Sequence, residues 1–222
     1  MVKKANFSWL LIALMGFLLV LPIAEDVGFM SARITRVVMF SWLLAIGVWS
    51  LRGFGFFFRI GIGFAIAGIV LNILVANTTS DIWSFGSFFA LLGFLATAMW
   101  CIGHKVVIGR RITTNRIVGT INLYLMFGVL WATVYAFIER MIPGSFAGLS
   151  RPIVQGWSGE WLYFSFVTMS TLGYGDLVPV SATARTFAYL QAIFGQFYIA
   201  ILVAGLVSAY ITERLRAEQD GR

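Results

Sequence analysis

Charge is what this chain has least of. Only 11% of its 222 residues are Asp, Glu, Lys or Arg, where soluble domains carry about 25%. With 60% hydrophobic residues and a mean hydropathy of +0.91, the chain reads as an integral membrane protein. Its net charge of +7 is then a matter of membrane topology and not a nucleic-acid signal. The single cysteine, Cys101, excludes an intrachain disulfide and lies in an apolar run, as a small core residue does. One histidine, His104, and no clustered ligand or nucleophile set leave nothing on which to build a metal centre, a resident cofactor site or an enzyme. Basic residues are also missing from one whole apolar run, Ile82 to Ile102.

Six apolar runs are present, and a spanning helix needs about 17–25 such residues. They cover Phe7 to Ile23, Val37 to Leu51, Phe54 to Ala76, Ile82 to Ile102, Ile117 to Ile138, and Ala184 to Ile211. The second is short, but Arg36 and Arg52 at its ends are able to snorkel. Between the fifth and sixth runs lies a connection, Glu139 to Gly159, and then a segment too short to span, Glu160 to Ser170. That segment reads as a re-entrant half-helix, with Glu160 favourable to the dipole of its first turn. The fold class expected is an all-α membrane protein with six transmembrane helices plus this re-entrant helix.

With both termini cytoplasmic, the outer side receives Arg33, Arg36, Arg140, Arg151 and Arg185 of the 16 Lys and Arg residues. The remainder, led by Lys3, Lys4 and the group Lys105, Arg110, Arg111 and Arg116, fall inside, as the positive-inside rule requires. The amino-terminal run also has the form of a secretory leader ending at Leu21-Pro22-Ile23-Ala24. Its length favours a retained span.

The half-helix runs into Thr171-Leu172-Gly173-Tyr174-Gly175-Asp176, followed by Pro179. The whole stretch from Tyr163 to Pro179 closely resembles the pore signature of the potassium channel family. That resemblance implies a filter in which rings of backbone carbonyls replace the hydration shell of K⁺. The ion-binding residues it implies are Thr171, Leu172, Gly173, Tyr174 and Gly175, with K⁺ held at Thr171, Leu172, Gly173 and Tyr174. A one-sided row of carbonyls demands alternating backbone conformations, some with positive φ, which glycine adopts at little cost. Gly173 and Gly175 alternate with Leu172 and Tyr174 accordingly. One filter loop per chain implies a homotetramer, since the family closes its ring with four. Asp176 stands at the outer mouth, where its charge concentrates cations. In many relatives a tryptophan of the pore helix steadies this aspartate; Tyr163 and Phe164 occupy that region here. Val167 stands where some relatives carry glutamate.

Six segments with a pore between the last two also resemble the voltage-gated architecture, whose fourth segment carries arginines. The fourth run here has none. Moving one charge through the field yields about 2.3 kcal/mol per 100 mV, so steep voltage gating is not expected. Arg59 reads either as a residual sensor or as a snorkelling residue. The divisions expected are 1–104, a voltage-sensor-like four-helix domain without gating charges; 105–116, a basic cytoplasmic linker; 117–211, the pore domain; and 212–222, a short cytoplasmic tail. Lys105, Arg110, Arg111 and Arg116 are placed to bind anionic lipid, or serve only as topology determinants. In the sixth run Gly195 resembles a gating hinge or allows close helix packing, and Gly205 is a second candidate. Ile199, Val203, Val207 and Ile211, at i, i+4 spacing, line a gate or face lipid.

The function expected is passive, potassium-selective permeation across the plasma membrane, with gating that is not voltage-driven. Two alternatives stand beside it: a potassium transporter subunit, whose class carries four divergent filter repeats per chain, and a non-conducting modulatory channel subunit.

Overall fold

A computed structural model describes residues 7–27, 32–50, 56–77, 81–108, 114–149 and 158–220. The described chain is helical apart from one two-residue β-ladder: α1 (Phe7–Val27), α2 (Ala32–Ser50), α3 (Phe56–Asn77), α4 (Asp81–Ile108), α5 (Thr114–Met141), β1 (Phe146–Ala147), α6 (Gly159–Met169), β2 (Val178–Pro179) and α7 (Ala182–Asp220). Each apolar run became a helix. Among the described residues, four of these, in α1, α3, α4 and α5, are long and apolar enough to cross a membrane.

Helices in lipid are apolar all round, so a core stripe is set by spacing and not by polarity. On α1, Phe7, Leu10, Leu14, Phe17 and Leu21 recur at three- and four-residue intervals and are buried. Phe94, Leu95, Ala98, Cys101 and Ile102 make the matching stripe on α4. The ring of Phe17 meets Phe40 of α2 edge-on, with centroids 5.7 Å apart. Helices α1 to α4 pack in sequence, and both α1 and α4 lie against α5.

Helices on either side of the expected boundaries at 104 and 117 are in contact. The first helix is tied to the fifth by hydrogen bonds: Phe7 N–H donates to Asn115 Oδ1 at 2.9 Å, and Asn122 Nδ2 donates to the Phe7 carbonyl at 2.8 Å. Helix α1 also touches α6. The linker expected at 105–116 shrinks likewise, because Lys105 lies in the last turn of α4 and Arg116 in the first turn of α5. A basic residue in a helix's last turn is favoured by the dipole, so α4 does not stop where hydropathy does. Arg110 and Arg111 lie outside the described residues, as does Arg151. The tail expected from 212 is helical through Asp220, giving α7 39 residues, or about 58 Å at 1.5 Å per residue. Hydropathy ended the segment at Ile211 because the helix turns polar there, not because it ends.

Three elements position the loop at 170–176. Helix α6, with 11 residues, is about 16 Å long and too short to span. It is cradled between α5 and α7, and its aromatic residues form the packing: Phe164 meets Tyr135 edge-on at 4.8 Å, and Trp161 meets Phe146 at 5.0 Å. Helix α7 crosses beneath α6 where Gly195 lies against it. A Cβ at Gly195 would collide with the carbonyl oxygen of Met169, the last residue of α6. Gly195→Ala should therefore force α6 and α7 apart and cost about 1–3 kcal/mol, the usual penalty for overpacking. A lower thermal midpoint of the purified protein in detergent checks this; an unchanged midpoint would show that the contact is slack.

Candidate functional site

The site is a loop whose conformation is set at the carboxyl end of α6. Leu172 N–H donates to the Val167 carbonyl at 3.0 Å and Thr171 N–H to the Thr168 carbonyl at 3.1 Å. These are the two bonds of a Schellman motif, which places its next residue in the left-handed region. That residue is Thr171, with φ of 60°. Glycine is usual there, and a β-branched side chain is a steric outlier. Its hydroxyl donates to the Ser170 carbonyl at 2.6 Å. Positive φ then returns at Gly173, 54°, and Gly175, 81°. Handedness thus alternates from residue 171 to 175, which is the backbone pattern a one-sided row of carbonyls requires. The two glycines are as the sequence leads one to expect; the third position, Thr171, was not anticipated.

Thr171, Leu172, Gly173, Tyr174, Gly175 and Asp176 are all exposed. The ring of Tyr174 lies parallel to that of Tyr163, at 6.4 Å and 4°. Tyr163 also supplies the brace that the sequence left open: its hydroxyl donates to Asp176 Oδ2 at 2.6 Å. The other oxygen, Oδ1, accepts from Leu177 N–H at 3.0 Å. Phe164 turns the other way, into the core, and the indole Nε1 of buried Trp161 has no partner among the described residues. The hydrogen bond from Tyr163 holds Asp176 below its usual carboxylate range, and in return pushes the Tyr163 phenol up to about 12.

Behind the loop is scaffolding that the sequence did not disclose. Strands β1 and β2 pair antiparallel, Phe146 with Pro179 and Ala147 with Val178. Glu139, near the end of α5, takes Gly144 N–H on Oε1 at 2.8 Å and Phe146 N–H on Oε2 at 3.1 Å. An acidic residue in a helix's last turn opposes the dipole, so Glu139 carried a signal that it has another task. Gly148, with φ of 93°, lies against the Asp176 carbonyl, where a Cβ would collide. No sequence signal marks it.

Of the other candidates, Gly205 is exposed and open, with nothing within 4 Å of a Cβ built there. Ile199 is exposed, and the side chains of Val203, Val207 and Ile211 lie outside the described residues. Arg59 is exposed in the first turn of α3. Gln196 Nε2 reaches Thr171 Oγ1 at 3.5 Å.

The brace has a defined pH window. Asp176, lowered, keeps it above the ordinary carboxylate value of about 3.9 and loses it in stronger acid. Tyr163, raised, keeps it fully below about 10 and loses it as pH passes the raised value. Tyr163→Phe should move the Asp176 titration back up toward the ordinary carboxylate range. Carboxyl ¹³C NMR of labelled protein checks this, and an unmoved titration would contradict the brace.

Residues 123–212 match the family model described as "Ion channel". The chain is 36% identical over 88 residues to "Two pore potassium channel c" of Oryza sativa subsp. japonica, covering 38% of this chain and 17% of that protein. It is 41% identical over 88 residues to "Two-pore potassium channel 3" of Arabidopsis thaliana, covering 39% and 17%. A bacterial protein, "Inward rectifier potassium channel Kirbac3.1" of Paramagnetospirillum magnetotacticum, is 34% identical over 95 residues, covering 41% and 28%. The likeness spans less than a third of each of these relatives, all of which are channels by name and not enzymes. Residues 123–212 are thus similar to ion-channel domains, in a chain with four described helices long and apolar enough to cross a membrane.

Proposed function

We propose that this chain is one subunit of a homotetrameric channel that passes K⁺ passively and excludes Na⁺. The observation that carries this reading is the alternation of positive φ at Thr171, Gly173 and Gly175 in a loop hung from the end of α6. In such a loop the carbonyls of Thr171, Leu172, Gly173 and Tyr174 face the ion, and Asp176 sits at the outer mouth. The names of the similar proteins support potassium as the ion. An apolar face of α7, with Phe194, Phe197 and Ile201 at 58%, 64% and 71% exposure, suits contact with neighbouring copies around the axis.

The reading extends to orientation and gating. Both termini are cytoplasmic, in the plasma membrane, and the basic group Lys105, Arg110, Arg111 and Arg116 faces anionic lipid. In α4 the nearest basic residue in the last turn is Lys105, so no charge crosses the field with that helix. Gly195, packed on Met169, acts in close packing, leaving Gly205 as the freer hinge, with Ile199, Val203, Val207 and Ile211 lining the lower path.

Reconstituted protein under a K⁺/Na⁺ gradient tests the central reading. The reversal potential should follow K⁺, and Gly173→Ala or Gly175→Ala should abolish selectivity or conduction, since alanine is strained at positive φ. Wild-type selectivity in both variants would refute those assignments. In symmetric K⁺ the conductance–voltage curve should be shallow. A slope above about four elementary charges per tetramer, the ceiling that Arg59 supplies, would contradict the gating reading.

A further inference from the structure

Midway along α6, three helices meet in a buried polar chain. The Gln191 side chain, on α7, is fully buried, as are Ser165 of α6 and Tyr135 of α5. The Tyr135 hydroxyl donates to Gln191 Oε1 at 2.6 Å. Gln191 Nε2 donates to Ser165 Oγ at 2.7 Å and to the Ser165 carbonyl at 3.0 Å. Ser165 Oγ in turn donates to the Gly128 carbonyl of α5 at 2.7 Å. Every hydrogen-bonding group of the Gln191 amide is used: one acceptor and two donor hydrogens.

The surroundings make this arrangement costly to hold without a purpose. A fully buried glutamine loses its hydration, and only a fully satisfied network offsets that. An apolar side chain of similar size would fill the same space. What the amide adds is direction: it bonds α7 to the middle of α6 with two hydrogen bonds, and so fixes register and rotation between them. One turn further along α7, Gly195 lies in backbone contact with Met169, and Gln196 reaches Thr171. The segment 191–196 thus meets α6 at Ser165 and Met169 and reaches the first residue of the filter loop, Thr171.

We infer that Gln191 is a positioning residue that locks the inner helix to the pore helix as one body, so that displacement of α7 is transmitted to the filter loop. This rests on the channel reading above. Gln191 touches no permeant ion. It acts through Ser165 and α6 on the alternating backbone at 171–175. Without it α7 moves while α6 does not follow, and the loop loses the support that holds its strained first residue.

The test compares wild type, Gln191→Leu, Ser165→Ala and the double variant as reconstituted channels, reading mean open-burst duration at low and high K⁺. Bursts should shorten at least about fivefold in each single variant, the lower end for leaving a buried polar group unpaired. The double variant should be no worse than the more affected single, because both break the same link. High K⁺ should restore the bursts, since ion occupancy favours the ordered filter by mass action, whereas K⁺ cannot mend a general packing defect. Unchanged bursts in the single variants, additive losses, or losses that high K⁺ leaves in place would each overturn the inference. Should Gln191→Leu fail to assemble, Ser165→Ala decides it alone by the same burst and K⁺ criteria. A wild-type protein that passes no K⁺ would overturn both this inference and the channel reading, while normal wild-type conduction with insensitive variants would overturn only this one.

Discussion

Everything in the carboxyl-terminal half of this chain depends on one constraint: a few residues of irregular backbone must be held with alternating handedness. Backbone groups at membrane depth have no water to satisfy them unless they line a wet path, and an unpaired group there is expensive. Thr171, Gly173 and Gly175 carry the positive φ values, and threonine at the first of them is strained by about 1–2 kcal/mol relative to the right-handed form. The structure meets that cost at both ends of the loop. At one end the Schellman bonds to Val167 and Thr168 close α6. At the other, Asp176 is fastened to Tyr163 of that same helix. The loop is therefore a bow strung between two points of α6, and α6 is the element that must not move.

The rest of the fold reads as support for α6. Helix α5 packs along it, the β1–β2 ladder and Gly148 fix the chain beyond Asp176, and α7 crosses its lower end. Even α1 is drawn in, through Asn115 and Asn122 of α5 and through its own contact with α6. Of the first four helices, α1 and α4 thus pack onto α5, and α1 also onto α6.

Much of this was legible from sequence, and for definite reasons. Helix existence followed from apolar runs because lipid forces every backbone group to bond internally. The positive φ at Gly173 and Gly175 followed from the only residue type that takes it cheaply. What stayed hidden depended on side-chain partners far apart in the chain. Whether Tyr163 or Phe164 faces Asp176 is a question of helix rotation, which packing settles. Nothing in the sequence marked Gln191, whose partners Tyr135 and Ser165 lie 56 and 26 residues away. The helix ends at Ile108 and Asp220 and the helix start at Thr114 lie beyond the apolar runs, because hydropathy reports the membrane boundary and not the end of the helix. Thr171 could not be anticipated at all, since a β-branched residue argues against the left-handed region.

The central claim is that the loop at 171–175 binds a dehydrated potassium ion with its own backbone oxygens. The most direct measurement is anomalous diffraction from crystals of the full chain with Rb⁺ replacing K⁺. The account predicts a column of Rb⁺ peaks on a four-fold axis, level with the carbonyls of Thr171, Leu172, Gly173 and Tyr174. Crystals in Rb⁺ with an ordered loop and no peak there, or a loop that meets no symmetry copies of itself, would contradict it.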